Sequence, residues 1–112
     1  MDDCLFCKIM KGEIPSTKVY EDENVYAFND IDPQAPVHVI IIPKEHICCA
    51  NKINKDNSKH IAAVYEAAPK IAKQLGLEES GYRIINNCGP DAGQTVFHIH
   101  FHLMGGKQLG WP

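Results

Sequence analysis

Hydrophobic and polar positions in this chain follow two different periods. Val37 to Ile42 is nearly continuous in β-branched residues between Pro36 and Pro43, the pattern of a central strand buried on both faces. Lys18 to Glu21 and Val25 to Asn29 read as two short strands, with Asp22, Glu23 and Asn24 suited to a hairpin turn between them. Asn57 to Leu75 carries apolar side chains at Ile61, Val64, Tyr65, Ala68, Ile71, Ala72 and Leu75, which is helical spacing. Asp56, Asn57 or Ser58 can cap that helix and Gly76 can end it, while Pro69 is expected to kink or interrupt it. Cys4 to Met10 predicts a short helix stopped by Gly12 and Pro15. Tyr82 to Asn87 and Thr95 to Met104 read as strands on either side of a turn-rich loop holding Gly89, Pro90 and Gly93. The sum is an α+β domain of about five strands in a mainly antiparallel sheet, with one long helix and a short N-terminal one.

Length and charge narrow the function. A chain of 112 residues fits one domain, 1–112, with a thin core that oligomerisation would reinforce. A net charge of −3 argues against broad binding to a nucleic acid polymer or an anionic membrane, and leaves room for one small nucleotide in a pocket. The acidic start, Met1-Asp2-Asp3-Cys4, is unlike a secretory signal, and the longest aliphatic run, Val39 to Ile42, is far short of the ~20 residues a membrane helix needs. A cytoplasmic location is therefore expected. The five cysteines, an odd number, argue against a disulfide framework. Cys4 and Cys7 form a C-x-x-C whose readings are a metal site, a redox pair or two small buried hydrophobes. Cys48, Cys49 and Cys88 are expected to pack in the core.

The stretch His98-Ile99-His100-Phe101-His102-Leu103 carries the chemistry. Side chains alternate faces along a strand, so three histidines point one way, consecutive ones ~7 Å apart. Phe97, Ile99, Phe101 and Leu103 are expected on the other face, in the core under the helix. A chance cluster on a solvated face, or a plain metal site, would also give histidines at this spacing. Three imidazoles in a row add little to a core, whereas neutral imidazole is a good nucleophile near pH 7. Attack on phosphorus would give a covalent intermediate that water hydrolyses, with neighbouring imidazoles holding phosphate oxygens or passing protons. Gly93-Gln94-Thr95, just upstream, can offer backbone N–H groups and a hydroxyl to an anion.

These residues fall into a known pattern. His98 to Met104 resembles the histidine-triad signature, three histidines alternating with apolar residues. Ala35-Pro36-Val37-His38, Ile42-Pro43-Lys44-Glu45-His46, Phe28-Asn29-Asp30-Ile31 and Gly93-Gln94-Thr95 also resemble that family, in the right order along essentially the whole chain. The ending, Gly105-Gly106-Lys107-Gln108 through Trp111-Pro112, looks like its nucleotide-binding Hint branch. The resemblance implies a homodimer that binds purine nucleoside monophosphates. It also implies hydrolysis of nucleoside phosphoramidates through a nucleotidyl-histidine. It implies His100 as nucleophile, His102 assisting at the phosphate, and His38 and His98 supporting them. Phe28, Asp30 and Ile31 would line the ribose and base pocket. Asn87, Gly93, Gln94 and Thr95 would surround the phosphate and leaving group, and Trp111 would lie near the partner's site. Asn29 stands where a histidine is frequent, and Thr95 where serine is frequent.

Many bacterial relatives pair the C-x-x-C with two histidines that here are His46 and His98. The resemblance thus implies a structural zinc held by Cys4, Cys7, His46 and His98. Three other functions compete: a nucleotide sensor or scaffold with little turnover, a protein whose histidines all bind metal, and a dinucleoside polyphosphate hydrolase.

Overall fold

The computed structural model describes residues 3–111, so Met1, Asp2 and Pro112 of the expected 1–112 domain lie outside the described residues. Five strands form one antiparallel sheet: β1 (Lys18–Glu21), β2 (Val25–Asn29), β3 (Val37–Pro43), β4 (Tyr82–Ile85) and β5 (Phe101–Gly105), in the spatial order β1-β2-β3-β5-β4. The α+β class and mainly antiparallel sheet expected from the pattern are those observed. Helix α1 (Leu5–Met10) lies on one face of the sheet and α2 (Ser58–Gln74) on the other.

Strand β3 is buried on both faces, as its nearly continuous β-branched run predicts. Val39 and Ile41 join Val25 and Ala27 under Val64, Ala68 and Ile71 of α2. Ile40 and Ile42 turn the other way with Tyr26 and Phe28, against Phe6 and Ile9 of α1. The period of two along β2 and β3 therefore assigns each residue to one of two cores. His38, even-numbered on β3, falls on the α1 face, and pairing of Ile40 with His102 puts His102 on that face beside it.

The β1–β2 turn forms as expected: Asp22 Oδ1 accepts hydrogen bonds from the N–H groups of Asn24 and Val25, 2.7 and 2.9 Å. Helix α2 departs from expectation twice. It continues through Pro69, because the proline ring lies on the exposed face, where water can reach the Tyr65 carbonyl that loses its N–H partner. Its start carries no side-chain cap from Asp56, Asn57 or Ser58 to the helix. Instead Asn54 Oδ1 accepts from the N–H groups of Asp56 and Asn57 in the turn before it. Gly76, at φ +76°, ends the helix as expected, and Leu77 N–H returns to the Ala72 carbonyl at 2.8 Å.

The segment expected as a long strand from Thr95 to Met104 is regular only from Phe101. Before that, Ile99 N–H goes to the Ile47 carbonyl at 2.6 Å, in the loop after β3, so the chain leaves the sheet ladder. The period of two survives: Ile99, Phe101 and Leu103 enter the α2 core. Phe97 does not, being 53% exposed, since it precedes the point where the chain meets the sheet. Likewise β4 ends at Ile85, two residues earlier than expected.

Candidate functional site

Four ligand atoms converge where α1 meets the loop after β3. Cys4 Sγ lies 3.5 Å from His98 Nδ1, and Cys7 Sγ lies 3.6 Å from both His46 Nδ1 and His98 Nδ1. All four atoms fall within 4.8 Å of one another. Bonds of about 2.3 Å to sulfur and about 2.05 Å to nitrogen at a tetrahedral angle place S and N about 3.6 Å apart. The donor set thus has the spacing of a tetrahedral zinc shell. His98 is orientated for it. Its Nε2 donates to the Pro43 carbonyl at 2.8 Å, which fixes the proton there and turns the bare Nδ1 toward the two sulfurs. Burial holds His98 down to about 4, so this imidazole is neutral, as a ligand must be.

His100 sits two residues on, 7% exposed. Its Nδ1 lies 2.8 Å from the backbone carbonyl of His98. A carbonyl can only accept, so the proton is on Nδ1 and the lone pair on Nε2 is free. Burial pushes its pKa below the ordinary imidazole value, which keeps the ring neutral near pH 7. Phe6 of α1 presents an edge contact to the ring, centroids 4.9 Å apart at 83°. Asn86 Nδ2 donates to the His100 carbonyl at 2.9 Å and holds the backbone on its other side.

His38 and His102 form a second linked pair. Gln34 N–H donates to His38 Nδ1 at 3.0 Å, so the His38 proton is on Nε2. That atom is 2.8 Å from His102 Nδ1 and 3.2 Å from Asp30 Oδ2. His38 donates across the shorter distance, which leaves the His102 proton on its own Nε2. Burial, then the neighbouring His100 and His38, hold His102 down to about 4, partly opposed by Asp30. Asp30 is fixed by its Oδ1, which accepts from Asp32 N–H at 2.8 Å.

His100 and His102 line a cavity of about 640 Å³ on the α1 face, together with Phe28, Asp30, Ile31 and Thr95. Asn29, Ser16 and Thr17 add polar groups to it, and Phe6, Ile9, Ile14 and Ile40 an apolar wall. Six of the expected residues are therefore assembled around one space. Asn87, Gly93, Gln94 and Trp111 are not part of that lining. Gln94 is buried with its amide committed: Nε2 donates to the carbonyls of Cys48 and Val96, and Oε1 accepts from Gly89 N–H. Trp111 stands out from the surface, 92% exposed. Cys48, Cys49 and Cys88, expected in the core, are each half-buried in loops, because the two segments that carry them lie outside the sheet.

Sequence reasoning missed Phe6, Asn86, Ser16 and Thr17. Phe6 had one available signal, its position between Cys4 and Cys7, which ties its placement to the cluster of Cys4, Cys7, His46 and His98. Asn86 had none, since its reach to His100 depends on the pairing of β4 with β5.

Comparison with known proteins agrees with this geometry. The family model described as HIT domain matches residues 11–109. The chain belongs to the histidine-triad family. A histidine-triad relative in Zea mays, named 14 kDa zinc-binding protein, is 49% identical over 110 residues, covering 96% of this chain and 85% of its own. A purine nucleoside phosphoramidase of Escherichia coli (strain K12) is 45% identical over 109 residues, covering 97% and 92%. The crystal structure of a HIT family hydrolase from Legionella pneumophila superposes with a TM-score of 0.94 at 53% identity, covering 98% of each chain. The resemblance read from the triad and its flanking motifs therefore holds, and the chain is a hydrolase of the histidine-triad family. Among the described residues no helix is long and apolar enough to cross a membrane.

Proposed function

We propose that this histidine-triad hydrolase cleaves purine nucleoside phosphoramidates to a nucleoside monophosphate and an amine, through a nucleotidyl-His100 intermediate. The tautomer of His100 carries the reading: a neutral, buried imidazole, its Nδ1–H spent on a carbonyl and its Nε2 lone pair free, on a side chain that lines the cavity. Nε2 attacks the α-phosphorus, the P–N bond breaks, and the nitrogen leaves as the amine with a proton taken from water. Water then attacks the same phosphorus and gives its proton back to solvent, the P–Nε2 bond breaks, and the nucleotide departs with His100 restored. His102, holding its proton on Nε2, donates to a phosphate oxygen as charge builds there. His38 and Asp30 keep His102 in that tautomer.

Phe28 and Ile31 take the base, and Asp30 the ribose hydroxyls, at the apolar end of the cavity. Thr95 contacts the phosphate, with Asn87, Gly93 and Gln94 framing that end from the loop behind it. Cys4, Cys7, His46 and His98 hold zinc, which when bound supplies a closed structural cross-link between α1 and the sheet and no open position for water. His98 supports the triad through its backbone carbonyl, which fixes the His100 ring. The chain acts as a cytoplasmic homodimer in which the exposed Trp111 reaches the partner's site; five free thiols fit a reducing compartment.

The test is release of a fluorescent amine from an adenosine phosphoramidate by wild type and His100→Ala. The proposal expects amine and AMP from wild type, and background release from a variant that still binds AMP. Binding of AMP by wild type with no turnover above background would replace the enzyme reading with a sensor or scaffold.

A further inference from the structure

Helix α1 belongs to both sites. Cys4 and Cys7 of the four-ligand cluster bracket Leu5 and Phe6 in the chain. Leu5, Phe6 and Ile9 line the cavity that His100 and His102 also line, and the cavity wall continues along the chain from Ile14 to Thr17, just after the helix. One wall of the cavity is therefore the segment that the cluster pins to the sheet. By itself that segment is weakly held. The helix has six residues, about half or less of the ~12–15 below which an isolated helix is marginal. Its cap is itself a cluster residue, since Cys4 Sγ accepts from Cys7 N–H at 3.4 Å. Its apolar anchors are Phe6 and Ile9, in the smaller of the two cores. A second connection runs through His98. The ring Nδ1 of His98 faces the two sulfurs at 3.5 and 3.6 Å, and its backbone carbonyl accepts from His100 Nδ1–H at 2.8 Å. Phe6 bridges the same residues, its ring centroid 6.2 Å from that of His98, 4.9 Å from that of His100 and 5.6 Å from that of Phe28.

We infer that the Cys4–Cys7–His46–His98 cluster controls nucleotide binding: zinc at the cluster and a nucleotide in the cavity bind with positive linkage, because both need α1 docked on the sheet. The inference rests on the nucleotide reading of the cavity proposed above. With the cluster liganded, Leu5 and Phe6 are fixed from both sides in the chain, and the cavity wall is complete before a nucleotide arrives. With the cluster empty of metal, only Phe6 and Ile9 oppose the entropy of ordering α1, and the docked state becomes the minor one. Apparent nucleotide affinity then falls in proportion to the fraction still docked. The linkage is reciprocal, so a bound nucleotide tightens zinc by the same factor. Asp30, His38 and His102 hold one another at 2.8 and 3.2 Å without any cluster residue, so loss of metal removes the wall and leaves this part of the triad assembled.

The test is calorimetric titration of the full-length protein with AMP, once loaded with zinc and once stripped by a chelator, with the thiols kept reduced by a phosphine. The expected result is an AMP Kd about tenfold or more higher in the stripped protein, restored by added zinc. Zinc titrated into stripped protein should bind tighter by the same factor when AMP is saturating. Hydrogen exchange should show the loss of protection confined to α1 and the segment after it, with far-UV circular dichroism otherwise retained. Phe6→Ala should weaken AMP binding in the zinc-loaded protein and shrink the ratio between stripped and loaded Kd, because part of the wall is then missing in both. Equal AMP affinity with and without zinc overturns the linkage and leaves the nucleotide reading standing. AMP that fails to bind even the zinc-loaded protein removes the nucleotide reading, and this inference with it. Stripped protein that unfolds as a whole also overturns it, since the cluster would then hold the entire domain and not one wall of the cavity.

Discussion

Replacing Gln94 by alanine separates two roles for this residue, contact with substrate and support of the loops. The buried amide makes three hydrogen bonds: from Gly89 N–H to Oε1 at 2.8 Å, and from Nε2 to the carbonyls of Cys48 at 2.9 Å and Val96 at 3.1 Å. At a net contribution of about 1 kcal/mol each, Gln94→Ala costs about 3 kcal/mol. The half-buried Gly89 and Cys48 can regain water, which keeps the cost from rising much beyond that. Unfolding entropy for 112 residues is about 0.24 kcal/mol per kelvin, so the midpoint should fall by about 12 °C. Circular dichroism during heating, at one protein concentration, measures this. Gln94→Glu is the sharper probe. It keeps an acceptor for Gly89 but sets a carboxylate against two carbonyls, so it should be at least as damaging as alanine. A shift under about 3 °C in both variants, with kcat/KM down a hundredfold, would refute this reasoning and put the amide on the substrate.

Three further outcomes follow from the site. Metal analysis should give about one zinc per chain and almost none in Cys7→Ser; free zinc at about a thousand times Kd stabilises by about 4 kcal/mol, so chelation should lower Tm in wild type only. The His102 pKa is pushed down from the ordinary 6.5 to about 4, so the unfolded chain binds more protons between those values. This stability is complete above about pH 6.5 and is lost as pH falls toward 4, by at most about 3 kcal/mol, and urea titrations of His102→Asn should show a flatter dependence across that window. Phe6→Ala removes a buried ring that touches Phe28, His98 and His100, and should cost about 3 kcal/mol while lowering kcat more than it raises KM; wild-type kcat in the variant would remove Phe6 from the support of His100.

The two cores were legible in the residue pattern because strand and helix periods are local properties. Val37 to Ile42 could only be a strand covered on both sides, and Ile61 to Leu75 could only offer one apolar stripe. The histidine alternation was legible for the same reason, and it held even where the segment left the sheet. What the sequence by itself could not determine was how the histidines divide their work. His98, His100 and His102 are equivalent in the pattern, yet three different carbonyl or imidazole partners leave each with a different free atom: a bare Nδ1 turned to two sulfurs, a free Nε2 lone pair, and an Nε2–H. Those partners are Pro43, the His98 backbone and His38, brought there by strand pairing and loop packing, and a ring's tautomer follows whichever partner occupies its other nitrogen. Gln94 gives the same lesson in reverse. Its sequence neighbours place it beside an anion site, but once β3, β4 and the approach to β5 are joined, three backbone groups converge on its amide. Only the assembled fold makes leaving those groups unpaired more costly than any contact the amide could make in the cavity.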